Sequence, residues 1–195
     1  MPRQQPTPEF PPQGLEKPGI EEAMDPHPHF EAPDYRAANK LEGKVALITG
    51  GDSGIGRSVA TLFAREGACI ALTYLEEEQQ DAEAIRNYIQ QTVGSNGGCD
   101  QVLLICGDVT DASFCKSAVE QTVSEYGHLD ILVNNAAYQQ HQDGIDDISE
   151  EQWDHTFKTN IYGYFHMVQA ALKHMKEGAN IINTGSITGL EGSGR

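Results

Sequence analysis

Positive charge is scarce in this sequence. Its 195 residues include 13 Lys and Arg against 29 Asp and Glu, which gives a net charge of −16. Nucleic acids and anionic membranes carry dense negative charge, which a binding protein neutralises with Lys and Arg. The balance therefore argues against nucleic acid and membrane as partners, and it favours a solvated acidic surface.

The sequence also has no long apolar run and no cysteine motif. No stretch approaches the roughly 18 apolar residues that cross a bilayer, and the N-terminal segment has no apolar core typical of a signal peptide. The four cysteines, which form no C-x-x-C pair and have no His at ligand spacing, are Cys69, Cys99, Cys106 and Cys115. We expect a reduced cytoplasmic protein whose thiols act as small hydrophobic groups, with a zinc site as the weaker alternative.

Proline is missing from most of the chain, because all nine prolines lie between Pro2 and Pro33. Residues 1–40 therefore read as a Pro-rich arm, extended or disordered, for which two interpretations stay open. The arm is either a disordered leader or is docked on the domain through its aromatic residues, which are Phe10, Phe30 and Tyr35. Residues 41–195 are enough to bury one hydrophobic core, and they predict a single domain.

Apolar and amphipathic segments alternate regularly after the arm. Short apolar runs predict strands at 44–49, 69–74, 101–106, 130–135 and 180–184. Amphipathic runs predict helices at 56–67, 76–91, 111–127 and 149–176. Strands that are apolar throughout and alternate with helices indicate a parallel sheet covered on both faces. The prediction is an α/β fold, a doubly wound parallel sheet of five strands.

The longest predicted helix carries a start signal and an apolar stripe. Its first residues, SEEQ at 149–152, have the S-x-x-Q form of a capping box. The stripe consists of Trp153, Phe157, Ile161, Tyr164, Val168, Ala171 and Met175. A stripe of this spacing predicts that the helix packs its apolar side against another surface.

A glycine-rich turn follows the first predicted strand and opens the first helix. In ITGGDSGIGR the glycines of the motif are Gly50, Gly54 and Gly56. Glycine lets the backbone turn tightly and approach a pyrophosphate, while the helix N-terminus offers N–H groups and positive charge to the phosphates. A purely structural turn is the alternative. The strand–turn–helix context favours a dinucleotide site.

Three motifs in order resemble the short-chain dehydrogenase/reductase superfamily. They are T-G-x-x-x-G-x-G at Thr49–Gly56, Asp108-Val109 after the third strand, and N-N-A at Asn134–Ala136 after the fourth. The resemblance covers about residues 40–195. The segment EEAMDPHP and the run ANKLEGKVALITGGDSGIGR are similar, more narrowly, to glucose and ribitol dehydrogenase homologues, also described as aldehyde reductase-like.

The resemblance implies which residues contact a nicotinamide dinucleotide. The implied set is Gly50, Asp52, Ser53, Gly54, Ile55, Gly56, Tyr74, Asp108, Val109, Asn135 and Ala136. Asp108 would accept from the adenine amino group. It could instead cap the helix at 111–127, although Thr110 or Asp111 could also do so, and the adenine role is favoured.

The choice between NAD and NADP depends on charge near the end of the second strand. In this family a carboxylate there binds the ribose 2′-hydroxyl, whereas Arg or Lys there or before the second glycine binds a 2′-phosphate. Here Ser53 precedes that glycine, the strand ends at Tyr74, and Glu76–Glu78 follow shortly after. Arg57 is the one nearby cation. Three carboxylates should repel a phosphate, so the coenzyme is predicted as NAD or NADP with a preference for NAD.

The resemblance also implies four catalytic groups: a Tyr, a Lys that lowers its pKa, a Ser that orients the carbonyl, and an Asn that holds a relay water. Ser186 matches the Ser and Asn160 the Asn, with a turn-forming Ser and a satisfied core Asn as alternatives. A Tyr-x-x-x-Lys element is expected roughly a dozen residues after the Ser. Tyr162 and Tyr164 lie on the wrong element, and neither has Lys four positions on.

Three interpretations of function follow. The favoured one is an N-terminal fragment of an NAD(P)-dependent oxidoreductase for aldehydes, sugars or polyols, without turnover by itself. The others are a non-catalytic dinucleotide-binding or regulatory protein, and a structural or stress-related protein with a vestigial pocket. An end at Arg195 would leave the fifth strand as an unprotected edge and expose apolar residues of the 149–176 helix, which favours the fragment. By resemblance, full-length relatives form homo-oligomers through that helix.

Overall fold

The computed structural model describes residues 24–93, 99, 101–187 and 189. Its strands form a sheet in which every neighbouring pair is parallel. They are β1 (Val45–Thr49), β2 (Cys69–Tyr74), β3 (Val102–Cys106), β4 (Ile131–Asn134) and β5 (Asn180–Asn183). Their spatial order is β3-β2-β1-β4-β5. The predicted doubly wound α/β fold is confirmed, and each strand lies within one residue of its predicted bounds.

Helices connect the strands. The α-helices are α1 (Gly54–Arg65), α2 (Gln79–Val93), α3 (Ala112–Tyr126), α4 (Glu150–Phe157) and α5 (Tyr164–Ala171). Short 3-10 turns at Glu76–Glu78 and Ile145–Asp147 precede α2 and α4, and a π-helix at Lys158–Gly163 joins α4 to α5. No helix in the described part of the chain is long and apolar enough to cross a membrane.

Local side chains decide where several helices begin. Asp111 caps α3, because its Oδ1 accepts the N–H of Ser113 at 2.7 Å. Ser149 caps α4 by accepting the N–H of Gln152 at 3.1 Å, as the S-x-x-Q pattern predicts. The first helix starts at Gly54, two residues before its predicted start, because the glycine turn itself forms the first helical turn.

The two faces of the sheet are covered by different helices. Alternate residues of β1 point to opposite faces, as the two-residue period of a strand requires. Ala46 and Ile48 pack with α1 and α2 on one face. Val45 and Leu47 pack with α3 and α5 on the other. All four are buried, and burying each large aliphatic side chain contributes about 1.5–3 kcal/mol. The central strand therefore joins both halves of the core.

The described part of the arm, residues 24–40, lies against α1 and α2. The ring of Phe30 packs edge-on against that of Tyr88 in α2, with centroids 4.9 Å apart. The guanidinium of Arg57 in α1 lies over the Phe30 ring, 3.5 Å from its centroid. Within residues 24–40 the arm therefore packs on the domain through Phe30, as the docked interpretation expects. Phe10 lies outside the described residues.

Arg65, at the C-terminal end of α1, binds the arm through the arm's backbone. Its guanidinium donates to the carbonyl oxygens of Glu31 (2.7 Å), Ala32 (3.0 Å) and Tyr35. Three carbonyls on one guanidinium fix the path of the arm, because its donors have a rigid planar arrangement.

Glu66, the next residue, holds the arm through its carboxylate. It is only 4% exposed. It accepts hydrogen bonds from the Tyr35 hydroxyl and from the N–H groups of Ala38 (3.0 Å) and Lys40 (2.8 Å). The bond from Tyr35, and after it the bond from the Lys40 N–H, lower the pKa of Glu66 to about 2. The arm and the end of α1 thus share a buried, fully ionised anchor.

The predicted 149–176 helix differs from expectation in continuity and in which side it buries. The π-helix interrupts it, and its wider turn shifts the residues that follow around the helix axis. The residues of this segment that face the core are different ones, namely Thr159, Gly163, Met167, Ala170 and Ala171, all of which are buried. The outer side carries exposed side chains that we call the apolar face, namely Trp153, Phe157, Ile161, Phe165 and Leu172. Three residues of the predicted stripe therefore point outward, Trp153 and Ile161 being 59% and 54% exposed.

The expectation of reduced thiols is wrong for one pair of cysteines. Cys69 and Cys99 form a disulfide with their Cα atoms 5.0 Å apart. Cys69 opens β2 and Cys99 precedes β3, so two parallel neighbours bring the sulfurs together at the amino ends of the strands. Their separation of 30 residues carries no sequence signal. Cys115 is buried as a free thiol, whereas Cys106 is exposed and does not act as a core residue.

Candidate dinucleotide site

A cavity of about 650 Å³ lies at the carboxyl ends of the strands. The chain order reverses between β1 and β4, and open parallel sheets bind ligands at such a switch point. Residues at the end of β2 and directly after β1, β3 and β4 form its wall. The predicted coenzyme residues that line it are Gly50, Asp52, Ser53, Ile55, Tyr74, Asp108, Val109, Asn135 and Ala136.

Gly56 and Gly54 are not among the residues that line the cavity, but they shape the turn between β1 and α1. A Cβ on Gly56 would lie 1.9 Å from the carbonyl oxygen of Gly50 and 2.7 Å from Nδ2 of Asn135, so only glycine fits there. Gly54 has φ +51°, and a Cβ there would meet no atom within 4 Å. The turn is therefore tight on its inner side and open on its outer side. An open glycine at the start of a helix fits the close approach of a phosphate group.

Asn135 ties together the three segments that form the floor of the cavity. Its Nδ2 donates to the carbonyls of Gly50 (3.0 Å) and Thr49 (3.2 Å), and its Oδ1 accepts the hydroxyl of Thr184 at 3.2 Å. The Thr49 hydroxyl accepts the N–H groups of Asn135 (2.9 Å) and Ala136 (3.0 Å). This network holds the glycine turn against the ends of β4 and β5. Asn135 therefore shapes the site as well as lining it.

The sequence left open whether Asp108 caps the third helix or contacts an adenine, and the structure shows which residue is the cap. Asp111 is the cap of α3, as described above. Asp108 lines the cavity, and its Oδ1 accepts the N–H of Thr110 at 2.8 Å. A carboxylate has further acceptor sites beyond that one bond. The helix therefore does not need Asp108 as its cap, which leaves the adenine role open to it.

Acidic groups dominate one end of the cavity. Glu77 and Glu78 line it together with Asp52, and Oε2 of Glu78 accepts the N–H of Leu75 at 2.9 Å. Burial raises the pKa of Glu78, and nearby Asp81 and Glu77 add to the effect. Neither Lys nor Arg occurs among the described residues of the wall. Two of the three carboxylates on which the NAD preference was based, Glu77 and Glu78, therefore line the wall, and the preference itself stays a prediction.

Burial makes Asp52 unusual. The residue is 1% exposed, and neither carboxylate oxygen has a hydrogen bond of regular geometry among the described residues, although the nearby N–H of Asp52 and the Ser53 side chain act to lower its pKa. Burial first, and then the charge of Glu78, raise the pKa of Asp52 to about 7. A polar group buried in a cavity without well-formed hydrogen bonds is costly unless a ligand or water binds it. A buried carboxyl on the wall therefore suits a polar ligand, and the open glycine at the start of α1 leaves room for a group to approach the backbone.

Asn160 lies inside the π-helix and bonds to the loop after β4. Its Oδ1 accepts the N–H of Tyr138 and its Nδ2 donates to the carbonyl oxygen of the same residue, both at 2.8 Å. The side chain is therefore satisfied, and each of its polar atoms uses one of the two bonds it can make. The structure places Asn160 as a brace between helix and loop, close behind the cavity wall that Tyr138 forms.

Ser186 lies in the segment that follows β5. It is exposed, its carbonyl accepts the N–H of Gly189 at 3.0 Å, and it does not line the cavity. Thr184, two residues earlier, does line it. The two predicted catalytic residues therefore lie beside the cavity, whereas the predicted coenzyme residues form its wall.

Sequence reasoning missed several residues of the wall. They include His155, Thr159 and Thr184. The rings of Tyr138 and His155 pack edge-on with centroids 4.2 Å apart, and Oγ1 of Thr159 is buried without a partner among the described residues. A signal was available for two of them. His155 and Thr159 are four positions apart, so they share one face of a helix with the next residue, Asn160, beside them.

Comparisons with known proteins agree with this geometry. The sequence pattern of the family described as short chain dehydrogenase matches residues 44–195. The chain is 55% identical over 176 residues to the uncharacterised oxidoreductase YhdF of Bacillus subtilis, covering 90% of this chain and 58% of that protein. It is 46% identical over 189 residues to the glucose and ribitol dehydrogenase of Daucus carota, with coverage of 96% and 64%. It is 43% identical over 178 residues to NADPH-dependent aldehyde reductase 1, chloroplastic, of Arabidopsis thaliana, with coverage of 91% and 61%.

Solved structures share the fold. A short chain dehydrogenase from Burkholderia cenocepacia, in complex with NADP, superimposes with a TM-score of 0.69 at 34% identity. The match covers 75% of this chain and 57% of that one. The chain thus spans 58–64% of the length of the three curated relatives and a similar share of this structure.

Proposed function

The chain belongs to the short-chain dehydrogenase family, and from that premise we propose that it binds NAD or NADP in the cavity as part of an oxidoreductase. The proposed substrates are small carbonyl compounds and alcohols, namely aldehydes, sugars or polyols. One observation carries the proposal: the glycine turn between β1 and α1 opens on a cavity that has the buried carboxyl of Asp52 on its wall.

The proposed coenzyme contacts come from the backbone of the turn and from the ends of neighbouring strands. Gly50 and Ser53 would face the phosphates at the positive end of α1. Asp108 would accept from the adenine amino group, and Asn135 and Ala136 would lie along the adenosine ribose. These groups are already positioned by hydrogen bonds within the protein, so binding would cost little reorganisation.

The proposed chemistry is hydride transfer between a nicotinamide, which supplies or accepts the hydride when bound, and a carbonyl carbon. Ser186 would donate a hydrogen bond to the carbonyl oxygen of the substrate. Asn160 would keep Tyr138, a residue of the cavity wall, in position through its two hydrogen bonds to the Tyr138 backbone. A free Tyr has a pKa of about 10, so the proton donor of this family needs a cation beside it. The 195 residues contain no Tyr followed four positions later by Lys. We propose that these residues alone bind the coenzyme without turnover.

The apolar face supports a proposal about assembly. Trp153 and Phe157 are exposed with their ring centroids 4.7 Å apart, and Phe165 is exposed farther along the chain. Clusters of exposed large apolar side chains mark contacts with another chain. We propose that full-length proteins of this type pair through this face. A cytoplasmic location stays a prediction.

Coenzyme titration tests the proposed function. The chain would be titrated with NADH and with NADPH while the nicotinamide fluorescence is followed, and ADP-ribose would be added as a competitor. We expect saturable binding of at least one coenzyme with a Kd in the micromolar range, reversed by the competitor, and no turnover with glucose, ribitol or a simple aldehyde.

Gly54→Val provides the variant for this test. A side chain there would fill the open position beside the helix start, and we expect binding to fall below detection. Gly178→Val is the matched control, because Gly178 also has a positive φ (+87°) with open space around it, but lies far along the chain from the glycine turn and just before β5. Equal affinity in the Gly54→Val variant and the parent would show that this turn does not hold a dinucleotide.

A further inference from the structure

The first turn of α1 has little support from its own sequence. Two of its first three residues, Gly54 and Gly56, are glycines, and glycine is among the weakest helix formers. Its N-cap residue, Ser53, makes no side-chain capping hydrogen bond. The turn that would meet the phosphates of a coenzyme therefore depends on contacts from neighbouring segments.

The arm makes one of these contacts, through Phe30. The guanidinium of Arg57, the residue after Gly56, lies over the Phe30 ring at 3.5 Å from its centroid, and its Nε is buried. The same ring packs edge-on against Tyr88 of α2, with centroids 4.9 Å apart. Both rings belong to the partly buried side chains that pack on the core. Phe30 therefore has a fixed backing when it holds Arg57.

Arg57 contributes to the turn through its backbone. Its side chain is not among the groups that line the cavity. Its N–H donates to the carbonyl oxygen of Ser53 at 3.0 Å, and this hydrogen bond closes the first turn of α1. Ser53 itself lines the cavity. A contact that fixes the side chain of Arg57 thus also fixes the backbone from which the coenzyme site is built.

The arm is anchored at the far end of the same helix. Residues 31–40 bind Arg65 and Glu66 through the hydrogen bonds described above. Arg57 precedes Arg65 by eight residues, or about 12 Å along the helix axis. The arm therefore runs along α1 from its first turn to its end, and Phe30 extends the anchored segment to the turn.

We propose that Phe30 is a positioning residue for the coenzyme site: by holding Arg57, it keeps the first turn of α1 in the conformation that meets the pyrophosphate. This inference rests on the proposed function, and it adds a segment outside the α/β domain to the same site. The arm and the coenzyme then order one and the same turn. Docking of either favours docking of the other, and the coupling has the same size in both directions.

Coenzyme affinity tests the coupling from the side of the cavity. The Kd for NADH and for NADPH is measured by fluorescence titration in the wild type and in Phe30→Ala. We expect the Kd of the coenzyme that binds more tightly to increase about fivefold, the lower end of the usual range for coupled sites. Phe30→Tyr keeps the ring and should retain the wild-type Kd. Val119→Ala, which removes buried apolar volume from α3 on the other face of the sheet, should lower Tm without changing Kd.

A double-mutant cycle tests whether Phe30 acts through Arg57. In an Arg57→Ala background the ring no longer has this guanidinium to hold. Adding Phe30→Ala there should change Kd by less than about twofold, because two groups that act as one unit are not additive. A full fivefold increase in that background would show that Phe30 does not act through Arg57, and it would overturn the inference.

Hydrogen exchange tests the coupling from the side of the arm. The N–H of Tyr35 donates to the carbonyl oxygen of Ala32 at 3.0 Å, and that of Ala38 to Glu66 at 3.0 Å. Saturating coenzyme should slow exchange at these two amides about fivefold in the wild type, since the coupling is reciprocal. In Phe30→Ala the same coenzyme should leave their exchange unchanged. A side chain that only stabilised the fold would not make the arm respond to coenzyme.

The outcomes separate the two proposals. If the wild type binds neither coenzyme, the proposed function fails and this inference with it. If the wild type binds a coenzyme and Phe30→Ala binds it equally well, or Val119→Ala weakens binding as much, this inference is overturned while the proposed function stands. If Phe30→Ala does not fold, Phe30→Leu is the smaller change. Exchange in the wild-type arm that coenzyme leaves unchanged would overturn the inference without any variant.

Discussion

The coenzyme half of the molecule and its C-terminal half differ in how firmly their residues are held. In the first, β1, α1 and β2 carry the glycine turn, and the arm packs on α1 through Phe30 and Arg57. In the second, Ser186 is exposed and the apolar face of α4 and α5 is uncovered. The glycine turn is therefore held by packing and hydrogen bonds, whereas the segment that carries Ser186 lies on open surface.

The comparison teaches that the cavity wall is held by contacts between neighbouring strands, from which Ser186 stands apart. Asn135 bonds to Gly50 and Thr184, so the wall depends on contacts between strands that lie side by side in the sheet. The catalytic groups of this family depend on a further Tyr and Lys. Four predictions test how sharply the two halves differ, from the largest expected effect to the smallest.

Gly56→Ala should disrupt the coenzyme half most. Its Cβ would come within 1.9 Å of the Gly50 carbonyl, so the turn must move away from α1. We expect coenzyme affinity to fall at least 100-fold and the free energy of unfolding to fall by about 2–4 kcal/mol. Fluorescence titration and thermal unfolding measure both. Gly178→Ala, at an open position far along the chain from the glycine turn, should leave affinity unchanged, and unchanged affinity in Gly56→Ala would contradict the prediction.

Reduction of the Cys69–Cys99 disulfide should have the next largest effect. The bond closes a loop of 30 residues, and losing a cross-link of that length costs about 3–4 kcal/mol in the chain-entropy description. A reductant should therefore lower Tm by several degrees, and Cys99→Ser should abolish that sensitivity. Thiol titration checks the pairing. Under denaturing conditions two thiols should react before reduction and four after it, and four at the outset would show that the bond is absent.

Native thiol reactivity sharpens the same prediction. Cys106 is exposed and Cys115 is buried. Burial also raises the pKa of Cys115 to about 12, so little of the reactive thiolate is present at neutral pH. In the folded chain we expect Cys106 to react before Cys115 because it is exposed, and slowly for an exposed thiol, because desolvation and then the charges of Glu76 and Glu77 raise its pKa.

Glu66→Gln should loosen the arm with a moderate loss of stability. A neutral amide is a weaker acceptor than the carboxylate for the bonds from Tyr35, Ala38 and Lys40, so we expect Tm to fall by about 5 °C. Hydrogen exchange at the Ala38 and Lys40 amides should accelerate. Exposed Glu42→Gln is the control. Faster exchange in Glu42→Gln than in Glu66→Gln would count against the anchor.

The anchor also gives a pH dependence. Because the folded pKa of Glu66 is lowered to about 2 from 4.5, its contribution to stability is present above about pH 4.5 and is lost as the pH falls toward 2. Exchange at the two amides should therefore accelerate relative to the core as the pH falls through that range. In Glu66→Gln this acid-dependent component should be missing.

Phe165→Glu should have the smallest effect on stability. The side chain is 59% exposed, so replacing it should change the free energy of unfolding by less than about 0.5 kcal/mol. Sedimentation velocity should nevertheless show less self-association, because a charge interrupts the apolar face. Asp143→Asn, on an exposed loop, is the control for a change of charge. A large loss of Tm in Phe165→Glu would mean that this face packs within the chain.

The prediction from sequence was accurate where the pattern was local or periodic. The strands follow continuous apolar runs, and the turn at Gly50–Gly56 follows directly from its glycines. Tyr74, Asp108 and Asn135 could be assigned to one cavity because parallel strands end at the same edge of a sheet. Ser149 could be recognised as a cap from its spacing to Gln152.

The prediction was inaccurate where contacts join distant segments. Cys69 and Cys99 meet through strand pairing. Trp153 and Ile161 are exposed although the apolar periodicity placed them on one packed stripe, which a π-helix at Lys158–Gly163 interrupts. Thr184, which was not predicted on the wall, joins it beside Asn135 and bonds to that residue from a much later strand end. In each case the deciding interaction lies outside the sequence window in which the pattern is visible.

The sequence by itself determined the parallel α/β fold, the family and the identity of the glycine turn, because hydrophobic period and backbone freedom are properties of neighbouring residues. Only the tertiary structure decided that Asp52 is buried on the cavity wall, that Glu66 anchors the arm and that the apolar face points outward. Each of these three features depends on which side chains are buried and which stay exposed to water. Burial of that kind depends on how the helices, the sheet and the arm pack together.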